Sequence, residues 1–426
     1  MKKNQRAIYA WSFYDWANSA FTTTVMAGFF PLFFKQYWAN GMSPSESTFW
    51  LGMGNAGAGL FIALLAPLLG AMADQGGLKK RMLLSFAILG VLMTAGLFFA
   101  TQGQWLMALL LYGFGSIAFS GANVFYDAML VDVSEHEHLH RVSALGFGLG
   151  YIGGGLLFAL NVWMTLNPTV LGMADAGEAV RWSFVSVAVW WAIFTIPLAL
   201  WVKEPASERQ QPLWQAASAG LKQLKETFKD LRSLRYIALF LLAYFLYIDG
   251  VNTIARMAVD YGLALGFESS VLITALLMTQ FIAFPAAIAM GWLGEHWHAK
   301  GTLLICIAVY AVVCMWSSTM QNEMDFYWLA AAIGLVMGGV QSLSRSMYAR
   351  MIPAHQSAEF FGFFNMLGKF AAVIGPALMG LVSMLTGSPR ASMLAIVALF
   401  SLGGIILFFV KEEGVVRNDG SSHSEA

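Results

Sequence analysis

The sequence predicts an all-α membrane protein with twelve transmembrane helices in two six-helix, pseudo-symmetric halves. Three observations point there. Apolar residues make up 58% of the 426 residues and charged residues only 11%, whereas soluble domains carry about a quarter charged residues. Mean hydropathy is +0.65, and twelve stretches approach the roughly 20 apolar residues that a spanning helix needs. One loop pattern also occurs twice: Gly70, Asp74 and Lys79 recur as Gly291, Glu295 and Lys300, at offsets zero, four and nine, with the copies 221 residues apart. Each copy lies between two apolar stretches. Duplication of this kind builds many secondary transporters, so a carrier is expected.

The stretches fall near 8–36, 49–73, 81–101, 104–131, 141–166 and 180–202 in the first half. The second half supplies 235–262, 268–293, 301–320, 325–350, 359–385 and 390–410. The first stretch is too long for a signal-peptide core and carries Asp15, so it reads as a retained spanning helix. The fifth is crowded with glycines, Gly146, Gly148, Gly150, Gly153, Gly154 and Gly155. Small residues at such steps let helices pack closely and slide, and no strand precedes them as a phosphate loop would need. Cys306 and Cys314 share the ninth stretch, two helical turns apart, and read as small packing residues. Most connections are short; the long one, Lys203 to Arg235, divides the chain six plus six. The expected organisation is an N-terminal bundle over 1–202, a linker over 203–234, a C-terminal bundle over 235–410 and a tail over 411–426.

Basic residues orient the chain. With the N-terminus inside, Lys2, Lys3, Arg6, Lys79, Lys80, Arg81, Arg141, Lys300, the seven basic residues from Lys203 to Arg235, and Arg350, Lys411 and Arg417 bring the cytoplasmic count to 18 of 24 Lys and Arg. Only Lys35, Arg181 and Arg390 fall outside. Both termini are thus expected in the cytoplasm of a cell whose inner membrane holds the chain as a multi-pass monomer. In the linker, Leu213, Ala217, Leu221, Leu224, Phe228 and Leu231 recur at helical steps with Lys222, Lys225, Lys229 and Arg232 between them. That is an amphipathic helix with a basic face suited to an anionic leaflet, read first as a tether between the halves. The net charge of zero argues against a nucleic-acid partner.

The first loop, Gly70-Ala-Met-Ala-Asp74-Gln-Gly-Gly77-Leu-Lys79-Lys80-Arg81, resembles the loop between helices two and three of the major facilitator superfamily. The resemblance implies a conformational latch made by Gly70, Asp74, Gly77, Lys79 and Arg81, with Gly291, Glu295 and Lys300 as its counterpart. Gln75 and Leu78 depart from positions that are usually basic there. Trp11-Ser-Phe-Tyr14-Asp15-Trp16-Ala-Asn18, Val142-Ser143-Ala-Leu-Gly146, Gln341-Ser-Leu-Ser344-Arg345-Ser-Met-Tyr348 and Glu359-Phe-Phe-Gly362-Phe-Phe-Asn365 look like the branch that holds bacterial relatives of the vacuolar effluxer Atg22. That resemblance implies a carrier of small polar solutes, with amino acids first. A sugar or short-peptide carrier of the same fold, and a non-transporting scramblase or receptor, are the alternatives.

Ionisable groups are costly in a bilayer and mark pathways. All seven histidines are expected in cytoplasmic loops or the tail, and the glutamates in loops or at helix ends. Proton coupling would therefore run through Asp15, Asp127 or Asp249. Asp15 and Asn18 match Asp249 and Asn252, each an acid and an amide three apart on the first helix of its half. Asp249 is favoured over Asp15 because its half also supplies Arg345 and Lys369. Tyr126 with Asp127, Tyr151, Gln341 with Arg345, and Asn365 with Lys369 complete the candidate substrate and coupling set. A zwitterion needs a cation for its carboxylate and an acid or a ring face for its ammonium. Arg256 reads as an ion pair with Asp260 one turn away. The run His136, His138 and His140 is expected to be a solvated loop, with no metal site. No catalytic motif or Walker loop occurs, so neither an enzyme nor a cofactor is expected.

Overall fold

The computed structural model describes residues 2–204, 213–229 and 234–411. Helix α1 starts as Lys2–Ala20 and continues unbroken as a π-helix over Phe21–Phe29, an α-turn over Phe30–Phe33 and a second π segment over Phe34–Trp38. Pro31 lies between the two wide segments; it has no N–H and crowds the carbonyl one turn back. The first bundle continues with α2 (Pro44–Gly76), α3 (Lys79–Gly96), α4 (Trp105–Ala128), α5 (Leu139–Leu166) and α6 (Ala176–Trp201). The linker helix is α7 (Leu213–Lys229). The second bundle contains α8 (Arg235–Ala264), α9 (Ser269–His296), α10 (Ala299–Ser317), α11 (Glu323–Met351), α12 (Ser357–Thr386) and α13 (Pro389–Phe408). Among the described residues eleven helices are long and apolar enough to cross a membrane. Helix α1 completes the twelve; its first turn, Lys2 to Arg6, is polar.

Local chemistry sets the helix ends. Ser43 and Asp175 accept the N–H of the residue three further on, at the starts of α2 and α6, and Asn322 with Asp325 forms a reciprocal capping box on α11. Gly77 ends α2 with φ +59°, a conformation that favours glycine.

The two halves repeat one packing plan. Helix α1 packs on α5 and α6, and α8 packs on α12 and α13; α2 with α4 matches α9 with α11, and α3 with α4 and α6 matches α10 with α11 and α13. The halves meet through two equivalent pairs, α2 with α12 and α5 with α9, while α11 also leans on α5 and α4 on α12. Leu64, Leu92, Ile196, Leu200, Ile405 and Phe408 turn outward on the bundle's rim, as expected for a surface solvated by lipid tails rather than water.

The linker helix departs from a purely membrane-lying tether. A Cβ on Gly220 would come within 2.9 Å of the Met72 backbone nitrogen, so α7 packs directly on the end of α2. Lys222, Lys225 and Glu226 occupy its exposed face. The side chains of Leu213, Ala217, Phe228, Lys229, Arg256 and Asp260, and residues 205–212, 230–233 and 412–426, lie outside the described parts.

Close approach of the halves on the linker side depends on missing side chains. A Cβ on Gly70 would sit 2.0 Å from the Ala358 carbonyl oxygen, and one on Gly291 would sit 2.2 Å from the Ala144 Cβ. At Gly70 the obstacle is backbone and cannot rotate away. Overpacking of this kind costs about 1–3 kcal/mol. Gly70→Val should therefore shift the conformational ratio roughly ten- to hundredfold toward an open linker side. Thiol labelling of a cysteine placed at the buried Ala66 should rise accordingly; unchanged labelling would refute the packing role.

Candidate functional site

Arg345, in the last third of α11, is the centre of the site. Its neighbours Gly338, Ser342 and Ser346 are small and meet Tyr151, Ser143 and His140, so α11 comes close to α5 of the other half. Arg345 crosses that seam. Its Nη1 lies 3.1 Å from Asp127 Oδ1 and 3.5 Å from Asp15 Oδ2. Its Nε donates to Ser143 Oγ at 2.9 Å and its Nη2 to the Ser143 carbonyl at 2.8 Å. The guanidinium also lies 4.1 Å from the Phe147 ring centre, 5.0 Å from Trp11 and 5.2 Å from Tyr126. Only 2% of the residue is exposed.

The acids have other partners. Tyr126 donates its hydroxyl to Asp15 Oδ2 at 3.1 Å, and Asn365 on α12 donates to Asp127 Oδ2 at 3.0 Å. Trp11 stacks on Tyr126 and donates to its carbonyl, which fixes the ring that holds Asp15. Helices α1, α4, α5, α11 and α12 thus converge on one cluster. It contains two carboxylates and one guanidinium, so with both acids ionised it is one positive charge short.

Other residues of the expected set border it. Tyr151 donates to Gln341 across the seam between α5 and α11 at 2.5 Å, and Asn18 donates to Asn123 at 2.7 Å. Lys369, one turn beyond Asn365, lines a narrow cleft with Ile62, Ala66, Ser120, Val124 and Asn365. Its ammonium is 6.0 Å from the Phe119 ring centre.

Asp249 lies elsewhere, which corrects its expected link to Arg345. It is 1% exposed, and its Oδ1 accepts the Gly375 N–H at 2.9 Å and the Thr253 hydroxyl at 3.4 Å. Asn252 donates to the Gly368 carbonyl at 3.4 Å. This pair ties α8 to α12 inside the second half. Arg345 belongs to the same half in sequence, but α11 presents it to Asp15 and Asp127 across the seam.

The repeated loops differ in their wiring. Asp74 accepts the N–H groups of Ala358 and Glu359 at 3.1 and 2.8 Å, at the positive end of α12 where an anion is stabilised. Lys79 lies 3.5 Å from Asp74, 3.2 Å from Asp132 and 2.8 Å from Ser357 Oγ. Gln223 of the linker helix joins in, hydrogen-bonded to both Gln75 and Glu359. In the second copy Glu295 meets His138 at 2.9 Å. Lys300 donates to the Val410 carbonyl at 3.1 Å, just as Lys80 donates to the Val202 carbonyl at 2.7 Å. The structural counterpart of Lys300 is therefore Lys80 rather than Lys79: α3 opens on Lys79 and α10 on Ala299, one residue out of the sequence register. Arg81 is exposed on α3.

One expected loop residue is misplaced. His140 belongs to α5 and is 1% exposed; packing against α11 extends the helix past the apolar run. Ser143, Phe147, Asp132 and Ser357 were also absent from the expected set. Ser143 and Ser357 act through contacts with the other half, which local sequence does not encode. Asp132 lies five residues beyond Asp127, at the edge of its apolar stretch.

The fold is shared with the human organic anion transporter MFSD10, with TM-score 0.73, 15% identity, and coverage of 95% of this chain and 99% of that one. Two six-helix halves around a buried inter-half charge cluster define the class: a transporter of the major facilitator superfamily. Within it, the chain belongs to the vacuole effluxer Atg22-like family, whose profile matches residues 55–139 and 130–419. It is 41% identical over 415 residues to the MFS-type transporter YxiO of Bacillus subtilis, covering 97% of this chain and 96% of that protein. Autophagy-related protein 22 of Gibberella zeae is 27% identical over 308 residues, which cover 66% of this chain and 45% of that protein.

Truncating Arg345 leaves two buried carboxylates without their cation. Breaking a buried ion pair costs about 3–5 kcal/mol. Arg345→Met should thus lower the unfolding temperature in detergent sharply, and Arg345→Met with Asp127→Asn should recover part of the loss. Equal melting of the single and double variants would show that the charges are not coupled.

Proposed function

We propose that this chain is a secondary active transporter that moves amino acids or similar small polar solutes by alternating access, with a proton as coupling ion. The charge imbalance at Arg345 carries the reading. Two acids from the first half share one guanidinium from the second, which leaves room for one added positive charge, either a proton or a substrate ammonium. A zwitterion offers its carboxylate to Arg345 or Lys369 and its ammonium to Asp15 or Asp127, with Tyr126 and Asn365 orienting the acids. Each partner pair joins the two halves, so substrate or proton binding changes what holds them together. The small-solute reading is supported by the effluxer description of the family.

The coupling roles fall to Asp15 and Asp127, with Asp249 a structural tie. In proteoliposomes, Asp15→Asn or Asp127→Asn should abolish pH-gradient-driven accumulation of an amino acid while counterflow persists, because counterflow needs no net proton movement. Asp249→Asn should leave gradient-driven uptake in place. Wild-type accumulation in both Asp15→Asn and Asp127→Asn would refute coupling through this cluster.

The basic-residue bias supports a cell-membrane protein with the linker and both termini in the cytoplasm. A cysteine at Ser207 or Ser422 should resist an impermeant thiol reagent in intact cells and react after permeabilisation. Reaction in intact cells would reverse the orientation.

A further inference from the structure

We propose that His140 is a second proton site of this carrier, built into the linker-side contact between the halves, and that proton binding there opens the contact. Part of this rests on the alternating-access reading; it does not depend on the substrate or on coupling through Asp15 and Asp127.

The donor and acceptor inventory fixes the imidazole's state. His140 Nε2 lies 3.0 Å from Arg350 Nη1. A guanidinium has donors only, so Nε2 must present its lone pair. On the other side, Nδ1 lies 2.7 Å from Ser346 Oγ. That hydroxyl donates onward to the Ser342 carbonyl at 2.9 Å, so it accepts from Nδ1–H. The closed contact therefore holds a neutral imidazole in the Nδ1–H tautomer, and both ring nitrogens are engaged by α11 of the other half. A second proton, on Nε2, would set an N–H against a guanidinium N–H and a positive charge against a positive charge. The closed contact and the imidazolium exclude each other.

No carboxylate is placed to relieve that conflict. Glu295 of α9 is engaged by His138, and Asp132, in the turn after α4, by Lys79. From α11 the facing cations are Arg350 and, at the next residue of α5 it binds, Arg345 on Ser143. His136 lies one turn back on its own strand of chain, and Arg141 beside it is exposed. Among the described residues His140 has no hydrogen bond or ion pair to an acid.

Its position turns the conflict into motion. A Cβ on Gly291 of α9 would come within 3.1 Å of the His140 carbonyl oxygen, so His140 sits where α5, α9 and α11 meet. Separation of α5 from α9 and α11 is what opening of the linker side requires. Once open, the ring meets water and titrates near the ordinary histidine value of about 6.5. One proton bound only by the open state shifts the open-to-closed ratio up to about tenfold per pH unit below that value.

The test reads conformation rather than transport. Full-length protein in nanodiscs carries one cysteine at Ala66, and its labelling rate is followed from about pH 8 to pH 5.5, the range over which histidine titrates. Labelling should rise as pH falls in the wild type. His140→Gln keeps an acceptor for Arg350 but gains no proton, so its profile should be flat. Arg350→Gln removes the conflict from the other side and should flatten it too, which covers failure of either variant to fold. A pH response like the wild type's in either folded variant overturns the proposal, and so does a flat wild-type profile. Gly70→Val serves as the forced-open reference: if it too stays unlabelled, the alternating-access reading falls and takes this proposal with it.

Discussion

Arg345 is the constraint that orders the rest of the molecule. An ionised side chain deep in a bilayer costs at least about 2.5–3.5 kcal/mol on insertion scales, and this one is almost wholly sealed from solvent. It is tolerable because every face of the guanidinium is occupied: two carboxylates, a serine hydroxyl and carbonyl, and three aromatic rings. Those partners come from α1, α4 and α5, while the arginine comes from α11. The charge thus obliges the two halves to meet at this depth. Any event that satisfies one partner differently must also change how the halves are held.

Around this centre the fold uses one packing plan twice and gives the two copies different chemistry. Both inter-half seams close where a glycine faces the start of a helix in the other half, Gly70 at α12 and Gly291 at α5. At the first seam Asp74 reads the backbone N–H groups of α12, and Lys79 ties it to Asp132 and Ser357. At the second a carboxylate meets an imidazole, and a buried histidine is held by Arg350 and Ser346. One seam is therefore fastened by a lysine–carboxylate network and by the linker through Gln223, the other by a carboxylate–imidazole contact and by a histidine held between Arg350 and Ser346. A shared packing plan with unlike side-chain chemistry is a means by which a symmetric scaffold can respond in one direction.

Much of this was legible from the sequence. The apolar stretches located all twelve helices to within a few residues, since hydrophobic length is imposed by the bilayer and needs no tertiary information. The repeated loop announced the duplication, and the scarcity of polar groups within the stretches singled out Asp15, Asp127 and Arg345. The errors share one cause. Asp249 looked like the twin of Asp15 and does lie on the matching helix, yet its Oδ1 accepts from the Gly375 backbone within its own half and not from Arg345. His140 looked like a loop residue because its neighbours are polar, and the lysines of the two loops aligned by count but not by helix start.

The sequence by itself determined the fold class, the number and placement of the helices, the duplication and the short roster of intramembrane charges. Each of these follows from local hydrophobicity or from spacing along the chain. Only the tertiary structure decided the pairing. Arg345 is 218 residues from Asp127 and Asn365 is 238 from it, and the chain carries no mark of which acid a given cation will meet. That choice follows from the small residues of α11, which let it press against α5 and carry its arginine out of its own half. Which lone pair His140 keeps was settled in the same way, by the side chains that the seam between the halves brings to either side of the ring.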